Sequence, residues 1–297
     1  MRISMMNSPF LAAMVSSLQL LPLQGVAQDL VSVKGRVVDS KGEAIEYVQL
    51  GMPSHNIGTI SSVDGLFSIE VPPADTLHFH HVSYRVGKHP VTGPEDDLTI
   101  VLEDNELPPA VSFGGDTKEK FLLKPGGKIL GDKALIGCSI ASGTFIGSEL
   151  GSSATARKPF LVQDIIFEVH SNSIPGCVAS INIYRIEGKN EAFVNVLHKP
   201  IYFDVPPSDN PQHFDLQPEE PILLEKGKYF VAFQIVSCDK KALEEFLSRD
   251  ESRRGPTEMY LYAPLHLKSS YLRKIALGEI KPFPVNIGIA VKGLEFQ

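Results

Sequence analysis

The stretch Val31-Ser32-Val33-Lys34-Gly35-Arg36-Val37-Val38 sets Val31, Val33 and Val37 on one side of an extended chain and Ser32, Lys34 and Arg36 on the other. A period of two is that of a strand with one face buried. Short runs of this kind recur along most of the chain. Each is closed by Gly, Pro, Asp or Asn, the residues that turn a backbone. With 22 Pro and 24 Gly in 297 residues, long helices have little room. Hydrophobic residues make up 43%, enough to bury real cores. Many short strands at regular spacing pack as sandwiches or barrels. The pattern predicts an all-β chain, and the length fits about two domains.

In the first part, residues 31–38, 44–50, 58–61, 67–71, 77–84 and 98–102 read as strands. Asp39-Ser40-Lys41-Gly42 is a turn, and Asp64-Gly65 is a tight hairpin turn. Phe67, Ile69 and Val71 form a core face, and Pro72-Pro73 ends their strand because proline cannot donate to a ladder.

The run Val33-Lys34-Gly35-Arg36-Val37-Val38-Asp39, then Gly42, Ile57-Gly58-Thr59, Asp64-Gly65-Leu66-Phe67-Ser68-Ile69, Pro72, Asp75-Thr76-Leu77 and Val82-Ser83-Tyr84 resembles the carboxypeptidase regulatory-like domain. The resemblance covers roughly residues 29–103 and implies a transthyretin-like β-sandwich. It resembles the copies at the front of TonB-dependent outer-membrane receptors and other exported proteins of Gram-negative bacteria. The family usually carries Gly before the last Tyr, where this chain has Ser83. The resemblance implies no peptidase activity, since the domain is the non-catalytic companion of the enzyme that named it. The chain beyond residue 103 is too short for a receptor's plug and barrel.

Residues 104–132 read as a linker. Glu103-Asp104-Asn105-Glu106 is acidic, Pro108-Pro109 is stiff, and Gly114-Gly115 and Gly126-Gly127 are loose. Residues 133–297 are again β-rich. Runs at 134–145, 160–169, 178–186, 201–205, 222–224, 229–236, 259–262, 265–271 and 285–291 predict a jelly-roll-like sandwich. One short helical insertion stands out. Asp239 can cap residues 240–249, with Leu243, Phe246 and Leu247 on one face and Glu245 four residues before Arg249.

Residues 1–27 read as a cleaved secretory signal. Arg2 is followed by an apolar middle and the small-x-small ending Gly25-Val26-Ala27. Ser16, Ser17, Gln19 and Pro22 interrupt the run that an anchor would need. The domains are therefore a signal peptide at 1–27, a sandwich at 28–103, a linker and a sandwich at 133–297. The expected location is the periplasm or the outer cell surface. Export permits one disulfide among Cys138, Cys177 and Cys238, with three pairings open. The net charge is −7, or −8 without residues 1–27. That argues against nucleic acid, which demands basic stripes.

Chemical motifs are incomplete. Gly137-Cys138-Ser139-Ile140-Ala141 ends in Ala where an acyl-transfer elbow needs Gly. Residues 126–131 have phosphate-loop glycine spacing, but Asp132 stands in the lysine position. His78 and His80 share a strand face and supply only half a tetrahedral shell, so they read as surface residues rather than metal ligands. Asp96-Asp97 and Glu219-Glu220 flank turns and read as solvated rims. The richest aromatic and polar patch is Tyr260, Tyr262, His266, Tyr271 and Arg273, a candidate surface for sugars or peptides. The expectation is a non-catalytic, cofactor-free cell-envelope protein that binds or scaffolds a surface protein or glycan. The alternative is a hydrolase accessory, or a hydrolase acting through polar residues of the second domain.

Overall fold

The structure is a computed structural model that describes residues 30–105, 114–124, 128–129, 135–139, 146–250 and 258–297. Residues 1–27, the stretch read as a secretory signal, lie outside these residues. The fold is all-β, with sandwich-type packing of several sheets and one short α-helix.

The first seven strands are β1 (Val31–Val38), β2 (Gln49–Met52), β3 (Ile57–Ile60), β4 (Leu66–Val71), β5 (Asp75–His80), β6 (Gly87–Val91) and β7 (Glu95–Val101). One sheet runs β4-β1-β7, with β1 and β7 parallel. The other runs β3-β2-β5-β6, all antiparallel. Their facing side chains form one core around Val33, Val37, Leu50, Phe67, Ile69, Leu77 and Phe79. The Phe67 and Phe79 rings meet edge to face at 5.5 Å. Gly65 takes φ +73° at the hairpin turn, a backbone conformation that its missing Cβ permits. Strand β5 ends at His80 rather than at residue 84, because residues 81–84 turn, with Tyr84 N–H bonded to the His81 carbonyl at 3.1 Å. Strand β6 is absent from the sequence reading, since Gly87 and Pro90 look like loop. It is an edge strand, where proline's missing donor does no harm.

The remaining strands begin with β8 (Thr117–Leu123), β9 (Lys128–Ile129), β10 (Leu135–Ser139), β11 (Glu149–Ala156) and β12 (Phe160–Val169). They continue with β13 (Ser171–Asn172), β14 (Val178–Glu187), β15 (Ala192–Asn195), β16 (Ile201–Asp204), β17 (Gln212–Leu216), β18 (Ile222–Leu224) and β19 (Gly227–Ser237). After α1 (Lys240–Ser248) come β20 (Tyr260–Leu267), β21 (Ser270–Arg273), β22 (Ile280–Phe283), β23 (Asn286–Ile287) and β24 (Ala290–Phe296). The largest sheet runs β15-β14-β19-β11-β21-β22, with β16 also on β14. A second runs β17-β12-β24-β8, with β18 on β12, and a third is built on β20. The core between them holds Phe167, Phe233, Ile181, Ile183, Val231 and Ile235. The Phe167 and Phe214 rings stack at 5.0 Å.

Part of the stretch read as a linker is strand. β8 pairs with the C-terminal strand β24 from Thr117↔Phe296 to Val291↔Leu123. Its Lys118, Glu119 and Lys120 hide the strand signal, because an edge strand can carry charge on its open side. Helix α1 agrees with the sequence expectation. The Asp239 carboxylate accepts from Ala242 N–H at 2.7 Å, and Phe246 is buried. Leu247 instead remains 44% exposed.

The large sheet is covered on both faces. Ile181, Ile183, Val231, Phe233 and Ile235 point into its own sandwich core. The alternate residues Ser180, Asn182, Tyr184, Phe230, Ala232 and Gln234 are buried as well. The first sandwich lies against that second face. Gln49 donates to Gln234 at 3.4 Å, the Tyr47 and Tyr202 rings meet at 4.9 Å, and Ser83 donates to the His198 carbonyl at 2.9 Å. Gly58 abuts the turn at Ala276, where a Cβ would stand 1.9 Å from the Ala276 carbonyl oxygen. Gly58→Val is therefore expected to force the sandwiches apart at a cost of about 1–3 kcal/mol. The check is a lower urea midpoint with an unchanged β-sheet circular dichroism spectrum.

Candidate functional site

The junction of the two sandwiches holds the densest group of buried polar side chains among the described residues. Strand alternation places them there. Ser180, Asn182 and Tyr184 project from one face of β14, with Gln234 from β19, Glu149 from β11 and Arg273 from β21. Glu149 has no exposed surface. Its Oε1 accepts from Tyr184 Oη at 2.7 Å and from Asn182 Nδ2 at 2.8 Å. Asn182 also donates to Gln234 Oε1 at 3.2 Å and accepts from Asn195 Nδ2 at 3.0 Å. Glu149 Oε2 lies 3.1 Å from Arg273 Nη1, an ion pair whose alignment falls short of a hydrogen bond. Arg273 Nη1 donates to Tyr184 Oη at 3.1 Å, and the guanidinium sits 5.1 Å above the Tyr184 ring.

Burial pushes the Glu149 carboxyl above its ordinary value, and Arg273, Tyr184 and Asn182 pull it partly back. Arg273 Nε is buried without a partner among the described residues. A donor left so costs about 1–3 kcal/mol unless something fills it.

From the first sandwich, His78 and His80 face this network, since Leu77 and Phe79 take the core side of β5. The face expected to be wet is instead half-covered by the second sandwich. Between the partners lies a cleft of about 230 Å³, lined by His78, His80, Tyr184, Phe193, Asn195 and Arg273 among others. It shares His80, Val86, Phe193 and Asn195 with a neighbouring hollow of about 430 Å³. A separate open concavity of about 540 Å³ includes Lys124, Lys228, Lys268 and Tyr271. It lacks the buried hydrogen-bonded wall of the junction. Among the described residues, no group of three or more His, Cys, Asp or Glu gathers as a metal site would. No described helix is long and apolar enough to cross a membrane.

The sequence-read patch divides. Tyr260 and Tyr262 lie side by side on β20, ring centres 4.6 Å apart and half-buried. His266 is buried close to Gly288. Tyr271 belongs to an aromatic cluster with Phe193 at 4.9 Å and Phe230 at 5.6 Å, and its hydroxyl donates to Glu191 at 3.0 Å. Arg273 alone of the five lines the junction cleft. The partners missed are Glu149, Asn182, Tyr184 and Asn195, and His78 and His80, read as surface residues, line the cleft instead. Asn182 between Ile181 and Ile183, and Gln234 between Phe233 and Ile235, carried a signal, because each sets an amide inside an otherwise apolar run. Glu149 gave none, standing before the small residues of β11.

His81 is one of the junction's pH-sensitive groups. Its Nδ1 accepts from Ser83 N–H at 3.2 Å, so the neutral ring carries its proton on Nε2, 3.3 Å from Tyr202 Oη. Burial, then the nearby His80, lowers its pKa to about 4. The unfolded chain takes up a proton near pH 6.5 and the folded chain only near 4, so stability falls as pH drops through that window. The shift corresponds to about 3 kcal/mol in all. His81→Phe is expected to flatten this part of the profile, measured as urea midpoints from pH 7.5 to 4.

No family model matches the chain, and no curated protein matches it. A solved structure described as a "putative carbohydrate binding protein" from Bacteroides uniformis ATCC 8492 is 7% identical, with a TM-score of 0.20. The alignment covers 86% of this chain and 97% of that one. The infectious bursal disease virus VP2 subviral particle is 13% identical, with a TM-score of 0.28, over 90% of this chain and 64% of that one. At those TM-scores neither likeness bears on function.

Proposed function

We propose that this chain is a non-catalytic binding protein of the cell envelope, and that the cleft between its sandwiches holds a glycan. The observation that carries the reading is the cleft's lining. Half-buried imidazoles, an amide and a guanidinium surround a small cavity beside the Phe193 ring. Such groups offer donors and acceptors to hydroxyls and an aromatic face to a sugar ring. Sites of this kind favour domain junctions. A catalytic carboxylate would have to touch substrate, whereas Glu149 is sealed behind Arg273 and Tyr184. In this reading residues 1–27 are the export signal, and the first sandwich is a carboxypeptidase regulatory-like domain that forms one wall of the cleft.

Two measurements test it. When the full chain is expressed in a Gram-negative host, the protein recovered from the envelope should begin at Gln28. A product still starting at Met1 in the cytoplasm overturns export. On a glycan array, the mature chain should retain selected glycans without releasing shortened products. Release of products supports the hydrolase alternative. Capture of envelope proteins with no glycan retained replaces the glycan with a protein partner.

A further inference from the structure

We infer that Cys177 and Cys238 are joined by a disulfide in the exported protein, a covalent staple between β14 and β19. Of the three pairings that the sequence leaves open, the sheet register selects this one. Formation of the bond in the cell rests on the export reading above; the placement of the two cysteines does not.

Both residues stand as thiols in the structure. β14 and β19 run antiparallel, and their pairing ends at Val178↔Ser237. One step further along each strand, the opposing residues are Cys177 and Cys238. The chains have not parted there. Asp239 N–H donates to the Pro175 carbonyl at 2.9 Å, and a Cβ on Gly176 would stand 3.3 Å from Asp239 Cβ. The cysteines are thus bracketed by contacts on both sides. The Cys177 carbonyl accepts from Val205 N–H at 2.9 Å, on the side of β14 that faces β16. A strand residue sends its N–H and C=O to the same side, so toward β19 Cys177 holds a non-hydrogen-bonded position. Opposite residues at such a position have Cα atoms about 4.5 Å apart, inside the roughly 4.4–6.8 Å that a disulfide spans. They also project to one face of the sheet. Cys177 is buried in the core of the second sandwich, and Cys238 packs against that same core. Cys138 lies on β10 opposite Leu261 of β20, and among the described residues β10 pairs with neither β14 nor β19.

The bond needs an oxidant, and a disulfide donor of the cell envelope supplies it by exchange. Cys238 is the more exposed of the two, so it meets the donor first. Its sulfur attacks one sulfur of the donor's disulfide, breaks that bond and forms a mixed disulfide. Cys177 then attacks the Cys238 sulfur, closes the cross-link and releases the donor as a dithiol. The two electrons and two protons of the cysteines end on the donor. Burial, then Asp239, pushes the Cys238 thiol pKa up to about 11, so little thiolate exists near neutral pH once the sheet has closed. The exchange is therefore fastest while the chain is still folding. The finished bond ties the strands that carry Ser180, Asn182, Tyr184 and Gln234, the sheet side of the junction network. It also closes the chain across residues 178–237, which restricts the unfolded state.

The test is refolding of the reduced mature chain from urea in a mixture of oxidised and reduced glutathione, followed by alkylation and peptide mapping without reduction. The expected product is a linked pair of peptides holding Cys177 and Cys238, with Cys138 alkylated. Its urea midpoint should exceed that of the reduced chain, and the gain should vanish in Cys238→Ser, a change at the more exposed position. Should the chain fail to refold, the same map is made on protein recovered from the envelope without reductant. A bond from Cys138 to either partner overturns the inference, as does a folded chain with all three cysteines alkylated. Glutathione left on Cys238 with Cys177 alkylated overturns it too, since the two sulfurs then do not meet. A bond that forms on refolding but is missing from protein recovered from cells overturns the export reading and leaves the pairing standing.

Discussion

Arg273→Ala is expected to cost about 3–5 kcal/mol, a large fraction of the stability of most domains. The loss comes less from a missing attraction than from what remains. Glu149 has no exposed surface, and its Oε2 faces only the guanidinium among the described residues. Without Arg273 the carboxylate is buried with two neutral donors, Tyr184 and Asn182. It then escapes only by taking a proton. Burial already holds its pKa above the ordinary value in the intact protein. In the variant that tendency is unopposed by a cation. A folded-state pKa above the unfolded value favours folding at low pH, and that advantage is lost as pH rises. The deficit of Arg273→Ala should therefore be small near pH 4.5 and grow toward pH 8. The double variant Arg273→Met with Glu149→Gln removes both charges and should recover most of the loss. Guanidinium titrations across that pH range check the slope. A deficit independent of pH would mean that Glu149 is not the group left stranded.

The two halves of the fold were unequally legible. In the first, residues 31–38 and 67–71 alternate cleanly because one face meets a core and the other meets water. Those runs became β1 and β4 with little change of boundary. The same rule misled at β5. His78 and His80 alternate with Leu77 and Phe79 as a wet face should, yet the second sandwich comes down on that face. Nothing local distinguishes a polar side chain aimed at water from one aimed at a polar neighbour. In the second half, β11 is missing from the runs read as strands, its Gly151, Ser152, Ser153 and Ala154 being small. It is nevertheless a central strand of the largest sheet, between β19 and β21. A Cβ on Gly151 would stand 1.8 Å from the Val231 carbonyl oxygen, so size rather than hydrophobicity fixed that residue. The site obeyed the same logic. Tyr260, Tyr262 and His266 were grouped with Tyr271 and Arg273 by nearness in sequence. β20 and β21 belong to different sheets and carry them apart.

Phe67→Ala separates the two halves energetically. Phe67 is 6% exposed and packs against Phe79 in a core that draws on residues 31–102 alone. Removing the ring should cost about 3–5 kcal/mol. A sandwich of roughly 75 residues buries a modest fraction of its surface and has little stability to spare. The first sandwich should therefore unfold while the second survives, because the second's core around Phe167 and Phe233 receives only Val82 from it. The surviving piece includes β8, whose pairing with β24 ties residues 117–123 to the second half. Limited proteolysis should accordingly digest the variant's first half and stop short of Thr117. In the unaltered protein the first cut should fall between Asp104 and Asp116, leaving two resistant fragments. The junction sets the limit on this independence. Gln49, Tyr47, Ser83 and His81 all bond or pack across it, so the surviving half exposes Gln234 and Tyr202 when its partner melts. Its own midpoint should drop, and glycan binding should vanish with the wall that His78 and His80 supply. A single transition in Phe67→Ala, with both halves digested together, would mean that the junction and not the separate cores sets the cooperative unit.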